Sequence, residues 1–361
     1  MLYALLVFTP LARGSVHPWA QTVILVAVVS LLLLLILEKL AEKNRSPVSA
    51  SADPLGNGSR QQAPLIFYRT PLDGPLISLV FLVLLSAIFS QHPLGNFDAI
   101  TLFLCYPVLF YIILYTVRSR KQQRTLVYVI ITVAVLLGLL GFLKRLDALP
   151  VTWWTYPHQL SEGYSISGPY GNRNHLAGYL EMAIPMVLGL FLAKKRRSPA
   201  LSVLLCLTIF LVIAHIFSFS RGGWLSLLGS LTAMVLVLLT QKRFQGKKIL
   251  ALLLAGSLGV FLLILSSREI VLRINTLTTE QTMAEIGGRR VIWEGVYKII
   301  SDNPLLGSGP GSFASVYLQY HPPVRARFFE AHNDYLHFTA ELGLTFIPLL
   351  YWLLTTIFLQ G

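Results

Sequence analysis

The chain has 361 residues, of which 55% are hydrophobic and only 12% are charged. A soluble domain carries nearer a quarter charged residues, so this composition excludes a soluble protein and predicts an integral membrane protein. The formal net charge of +13 does not indicate a nucleic-acid partner, because the basic residues lie largely in short loops between apolar runs and no aromatic-basic groove pattern accompanies them.

Apolar runs, taken in chain order, predict a polytopic helical protein. A membrane-spanning helix needs about 20 apolar residues, and lipid requires each segment to satisfy its own backbone hydrogen bonds, which favours helices over strands. We therefore expect an all-α integral membrane protein of nine or ten spans, built as a single domain over residues 1–361. The runs lie at about 2–12 (a short one), 20–38, 75–90, 98–117, 125–143, 176–193, 200–217, 224–240, 249–266 and 344–359.

Basic loops indicate the orientation of these spans. The segments at 118–124, 194–197 and 241–248 each hold four Lys or Arg and no acidic residue. The positive-inside rule places them in the cytoplasm, together with a flexible Ser-, Pro- and Gly-rich loop at 41–73. The loop at 267–343 then lies on the external, periplasmic side, and it is too long to be a simple connector.

Arginines at the outward side are candidates for binding an anion. Arg221, at the outer end of a span, is either an anion clamp or an interfacial anchor beside Trp224. Arg289 and Arg290 open an amphipathic helix, where guanidinium groups and free backbone N–H groups suit a phosphate, although such a pair is also typical of a solvated surface. Asn174 either contacts a sugar or phosphate or helps to cap the following span.

Polar residues gather just before the last apolar run, in the segment EAHNDYLHFTAELGL at 330–344. His332 is a natural proton acceptor near neutral pH, and Asn333 beside it is able to fix the tautomer of its imidazole. A structural role for a histidine at this interface is the alternative. Glu341 is a further candidate for substrate binding in the same segment.

The sequence predicts neither a metal site nor a cofactor. His332 and His337 are five residues apart, which fits one face of a helix poorly. Both cysteines, Cys105 and Cys206, lie inside apolar runs, which excludes a disulfide framework and a thiolate metal site. The stretch GSGPGSF at 307–313 lacks the ending of a phosphate-binding loop and is predicted to be a turn.

Three blocks of sequence carry a family resemblance. They are SRGGW, then GRRVIW followed by DNPLLGSGPGSF, then HNDYLHFTAELG, and their order and spacing over about residues 168–343 resemble the O-antigen ligase and polymerase superfamily. The resemblance implies an all-helical, GT-C-like membrane glycosyltransferase that uses a polyprenyl-linked donor. It implies no nucleotide sugar and no required metal.

The resemblance also implies roles for individual residues. Arg221 and Arg289 would bind the diphosphate of an undecaprenyl-diphosphate-linked glycan. His332 would orient or deprotonate the hydroxyl of the acceptor sugar, with inversion at the anomeric carbon. Arg290 and His337 have no counterpart in the family's pattern, and we expect His337 to tolerate alanine.

Several functions share this pattern, and the sequence leaves them open. A ligase-like transferase acting on lipid A-core in the bacterial inner membrane is favoured; an O-antigen polymerase and a protein O-oligosaccharyltransferase are alternatives. From a different class, a small-anion transporter such as a bicarbonate carrier should place its polar residues near the bilayer midplane. Arg221, Arg289 and His332 instead fall in outward loops or at span ends, which disfavours transport.

Overall fold

A computed structural model describes residues 1–45, 69–92, 96–146, 165–194, 199–240, 256, 292–320 and 330–360. Within these residues every regular element is helical, as the composition predicts. The elements are α1 (Leu2–Leu11), a short 3-10 turn (Arg13–Ser15), α2 (Pro18–Arg45), α3 (Asp73–Ile88), α4 (Asn96–Thr116), α5 (Arg120–Arg145), α6 (Arg173–Ala193), α7 (Ala200–Phe217), α8 (Arg221–Thr240), α9 (292–302), α10 (Phe313–Tyr320), α11 (Asp334–Leu342) and α12 (Phe346–Gln360).

Among the described residues, six helices are long and apolar enough to cross a membrane, namely α2, α4, α5, α6, α7 and α8. Three shorter apolar helices, α1, α3 and most of α12, coincide with three further predicted runs. The prediction of an all-α, multi-pass membrane protein is therefore confirmed. Apart from residue 256, the predicted span at 249–266 lies outside the described residues.

The structure describes only some of the loops from which the orientation of the spans is predicted. The structure covers the basic stretch at 118–124, but only residue 194 of the stretch at 194–197 and nothing of the one at 241–248. Most of the loop at 41–73 and the first part of the loop at 267–343 also lie outside the described residues. The orientation accordingly stays a prediction.

Polar caps, rather than the apolar runs, set where helices begin. The Ser119 hydroxyl accepts a hydrogen bond from the backbone N–H of Gln122, whose side chain accepts one from the Ser119 N–H. This capping box starts α5 at Arg120, several residues before the apolar run. In the same way, the Asn172 side chain accepts from the N–H of Asn174, and α6 begins at Arg173.

The first of two compact units comprises residues 1–27 and 117–274. In it α6 packs against α5, α7 and α8, while α1 packs against α5. The buried residues of α6 recur every three or four positions along one helical face, as expected for the face that packs on neighbouring helices. They include Leu176, Leu180, Ala183, Ile184 and Val187, all with 0% exposure.

The second compact unit comprises residues 28–116 and 275–361. In it α3 packs against α4, α11 and α12. The short helices α9, α10 and α11 share an apolar core of their own. Its buried members are Ile292, Val296, Ile299, Phe313, Val316, Tyr317, Ala331 and Ala340.

The glycine-rich stretch between α9 and α10 is a turn, as predicted. Gly307, Gly309 and Gly311 all have positive φ, which a residue without a Cβ adopts at little cost. The backbone N–H of Ser308 donates to the carbonyl of Ala340 at 2.9 Å. The turn is thereby fixed to the end of α11.

Gly343 ends α11, and its replacement tests this packing. Its φ is +78°, and an added Cβ would meet the carbonyl group of Leu305. We expect Gly343→Ala to lower the free energy of unfolding by about 1–3 kcal/mol, because neither backbone is free to shift. Thermal unfolding followed by tryptophan fluorescence in detergent measures this. Gly229→Ala, where an added Cβ meets nothing within 4 Å, is the control, and equal shifts in Tm for both variants would contradict the expectation.

Candidate functional site

Arg221 is the first residue of α8, and its side chain is exposed. Ser220 caps this helix, since its hydroxyl accepts from the backbone N–H of Gly223 at 3.1 Å. The start of a long helix carries a partial positive charge, to which the guanidinium adds a full one. The sequence expectation of an anion-binding arginine therefore has a suitable local structure.

The turn that leads to Arg221 has an unusual backbone. Phe219 has a φ of +51°, a conformation that few residues with a Cβ adopt. The N–H of Ser220 donates to the hydroxyl of Ser218, and that hydroxyl donates to the carbonyl of His215. Strained backbone of this kind is concentrated at functional sites, because it persists only where its surroundings hold it.

Asn174 reaches the same turn from a distant part of the chain. Its side-chain oxygen accepts a hydrogen bond from the Ser220 hydroxyl at 2.8 Å, although 46 residues separate the two. Of the two roles that the sequence left open, the cap of α6 belongs to Asn172. Asn174 is exposed and lies beside the residue that precedes Arg221. A contact with substrate stays a prediction.

The two glycines after Arg221 differ in their surroundings. A Cβ added to Gly222 would meet nothing within 4 Å. A Cβ added to Gly223 would lie 2.7 Å from the Cβ of Ala177 and 3.2 Å from Cε1 of His215, which is itself 1% exposed. Gly223 thus allows α6, α7 and α8 to approach closely, whereas Gly222 leaves the backbone beside Arg221 open.

His332 lies in the second unit, immediately before α11, with an exposed side chain. Its own φ is +51°. Ala331 before it is fully buried, and the carbonyl of Ala331 accepts a hydrogen bond from Nε1 of Trp293 at 3.0 Å. Asn333 after it caps α11, with its side-chain oxygen accepting from the N–H of Leu336 at 3.2 Å. An exposed imidazole is thus held between two fixed neighbours.

Glu341 lies near the end of α11 with 5% exposure. Its Oε1 accepts from the backbone N–H of Phe313, the first residue of α10, at 3.1 Å, and lies 3.5 Å from Nε2 of His337. Burial raises the pKa of the Glu341 carboxyl, while His337 and the backbone N–H groups of Gly311 and Phe313 oppose that rise. The contacts seen for Glu341 are internal to this unit, and its predicted contact with substrate stays untested.

The comparison with known families covers both stretches just described. Residues 204–347 match the family model described as O-antigen ligase. The matched residues are similar to the O-antigen ligase family, and we call residues 204–347 the O-antigen ligase region after that similarity. This confirms the resemblance drawn from the three sequence blocks and supports an O-antigen ligase-like function in surface polysaccharide biosynthesis. No curated protein matches the chain.

The O-antigen ligase region contains Arg221, Arg289, Arg290 and His332. Arg289 and Arg290 lie outside the described residues, so their predicted contact with a diphosphate is a prediction only. In the parts of the chain that the structure describes, no group of three or more His, Cys, Asp or Glu is placed to hold a metal ion.

Sequence reasoning missed the roles of three residues in the O-antigen ligase region. Ser220 caps α8 next to Arg221, Trp293 donates to the backbone next to His332, and His337 contacts both Ala331 and Glu341. The spacing of His337 and Glu341, four residues apart on a helix, was a signal that they face each other. No comparable signal indicated Trp293, whose partner is 38 residues away.

Proposed function

We propose that the protein transfers an oligosaccharide or polysaccharide from undecaprenyl diphosphate to a sugar hydroxyl of lipid A-core or another glycan. The observation that carries the proposal is the match of residues 204–347 to the O-antigen ligase family. We place the reaction at the periplasmic face of the bacterial inner membrane, where the predicted outward loops would meet a lipid-linked donor.

The proposed donor site neutralises a diphosphate. When the bond between the anomeric carbon and the diphosphate breaks, negative charge develops on the leaving oxygen. Guanidinium groups stabilise that charge and match phosphate oxygens with paired donors. The family resemblance implies this contact for Arg221, at the open start of α8, and for Arg289. Arg290 and Asn174 are further candidates for contact with the donor.

The proposed acceptor chemistry depends on His332. Its neutral imidazole would take the proton of the acceptor hydroxyl as the oxygen attacks the anomeric carbon from the face opposite the diphosphate. One glycosidic bond forms, the bond to the diphosphate breaks, and the configuration inverts. The exposure of His332 between the buried Ala331 and the capping residue Asn333 supports this role.

The proposed use of arginines in place of a metal ion can be tested directly. Because guanidinium groups take up the charge of the diphosphate, transfer should need no divalent cation. We expect the purified protein to transfer glycan at the same rate with and without EDTA. Activity that EDTA abolishes and Mg²⁺ or Mn²⁺ restores would contradict this.

Deleting the gene and separating the surface glycans on a gel tests the proposed function. A ligase-like transferase predicts lipid A-core without attached polymer, together with long chains still on the polyprenyl carrier. Loss of a polymerase would instead leave single repeats attached to the core. Unchanged glycans, combined with a defect in the uptake of a small anion, would favour the transporter alternative and overturn the proposal.

A further inference from the structure

Side chains bind both backbone polar groups of Ala331, the residue before His332. Ala331 has 0% exposure, so its N–H and carbonyl need partners within the protein. The carbonyl accepts from Nε1 of Trp293 on α9 at 3.0 Å. The N–H donates to Nδ1 of His337 on α11, a long contact of 3.4 Å. Two helices thereby hold the residue that precedes His332.

The contact from Ala331 sets the tautomer of His337. Since Nδ1 accepts a hydrogen bond, the hydrogen of the neutral ring lies on Nε2. Nε2 is 3.5 Å from Oε1 of Glu341, one helical turn further along α11. An acceptor oxygen beside Nε2 favours an N–H in that position. Nδ1 of His337 is thereby kept available for Ala331.

Contacts with Phe313 hold this pair in place. The ring of Phe313 lies with its centroid 4.7 Å from that of His337. Glu341 is 5% exposed, and its Oε1 also accepts from the backbone N–H of Phe313 at the start of α10. The imidazole of His337, which is 22% exposed, is thus in contact with the ring of Phe313 on one helix and the carboxyl group of Glu341 on its own helix.

The conformation of His332 depends on this support. A left-handed backbone, here with φ of +51°, is unfavourable for a residue with a Cβ and persists only where the surroundings enforce it. On one side Ala331 is bound by Trp293 and His337, and on the other Asn333 caps α11. Releasing Ala331 would let the backbone at His332 relax and move its exposed imidazole.

We propose that His337 and Glu341 are positioning residues, which hold Ala331 and thereby fix the imidazole of His332 where it meets the acceptor. The inference rests on the proposed role of His332 in glycan transfer. It replaces the expectation that His337 tolerates alanine. The positioning role needs no contact of either side chain with donor or acceptor, since the contacts that carry it lie among α9, α10 and α11.

The proposal can be tested with variants of His337 that place a hydrogen-bond acceptor atom at different positions. The side-chain oxygen of asparagine lies at about the distance of Nδ1 from the backbone, whereas the amide of glutamine lies nearer the position of Nε2. We expect His337→Ala and His337→Gln to lower kcat about tenfold to a hundredfold, the scale of a displaced reacting group, with the KM for donor unchanged. His337→Asn should retain a much higher kcat.

The same comparison applies to Glu341. Glu341→Gln keeps a side-chain oxygen that accepts from the N–H of Phe313, so it should retain a higher kcat than Glu341→Ala.

Hydrogen–deuterium exchange gives a readout that does not need transfer. In the full-length protein in detergent, the peptide covering residues 330–336 should exchange faster in His337→Ala and His337→Gln than in the wild type and His337→Asn. Lys298→Ala, which removes an exposed charge from α9 in the same unit, is the control and should leave this peptide unchanged.

The outcomes separate this inference from the proposed function. Should His337→Ala or His337→Gln retain the wild-type kcat while His332→Ala is inactive, the positioning role is wrong. Unchanged exchange over 330–336 in both His337→Ala and His337→Gln would overturn it equally. A wild-type protein that transfers no glycan would instead overturn the proposed function, and the exchange data would still show whether His337 holds Ala331. If His337→Ala does not fold, the comparison of His337→Asn with His337→Gln decides.

Discussion

Replacing His332 with alanine should remove glycan transfer while leaving the binding of the lipid-linked donor intact. The imidazole is the proposed proton acceptor for the hydroxyl of the acceptor sugar, and the loss of a general base costs on the order of 10²-fold or more in kcat. The diphosphate is assigned to the arginines, so the affinity for donor should not change. Steady-state transfer and donor binding, both measured on the purified variant, check the two halves of this expectation.

The backbone at His332 requires a second variant as a control. Alanine in a left-handed conformation is strained, and its effect on kcat would include any shift of the turn. Glycine adopts this conformation freely, so His332→Gly removes the imidazole without the strain. We expect both variants to be equally inactive, and free imidazole to restore part of the activity of His332→Gly. Near-normal transfer by His332→Gly would show that the side chain is not the base.

Replacing Arg221 with lysine should weaken both donor use and turnover. Lysine keeps the positive charge but loses the paired, planar donors that match phosphate oxygens. The removal of one donor that stabilises developing negative charge typically costs on the order of 10²-fold in kcat, and Arg221→Lys is expected to approach that loss. Arg289→Lys should behave alike. The measurement is kcat and the KM for donor with each purified variant.

Arg120 provides a matched control for Arg221. Each is exposed and is the first residue of a long apolar helix, Arg120 of α5 and Arg221 of α8. Arg120 belongs to a basic stretch that is predicted to lie on the cytoplasmic side. Arg120→Lys should therefore leave transfer unchanged. Equal losses in the two variants, or none in Arg221→Lys, would remove the proposed role of Arg221.

Much of the helical architecture follows from the sequence, because lipid leaves few alternatives for an apolar run. The predicted runs at 98–117 and 200–217 correspond closely to α4 and α7. Helix starts were predicted less well. The apolar run at 125–143 gave no sign that the capping box at Ser119 extends α5 through the basic stretch. A cap depends on particular side-chain hydrogen bonds, which hydropathy does not contain.

The candidate residues were predicted from sequence, but the hydrogen bonds that hold the neighbouring backbone in place were not. Arg221 and His332 were singled out by residue type and position. The hydrogen bond between Ser220 and Asn174 joins residues 46 positions apart, and that between Trp293 and Ala331 joins residues 38 positions apart. Such contacts arise only when the helices pack. The left-handed turn at His332 has no signature either, since histidine is not a residue that requires it.

The most direct test of the central claim is a transfer assay with the purified protein in liposomes, supplied with a polyprenyl-diphosphate-linked glycan and an acceptor glycan. We expect that each glycan joined to the acceptor is matched by one released polyprenyl diphosphate, and that the new glycosidic bond has the inverted configuration. We expect neither product with His332→Ala. Donor that remains intact in the presence of wild-type protein and acceptor, or a product that still carries the diphosphate, would contradict the central claim.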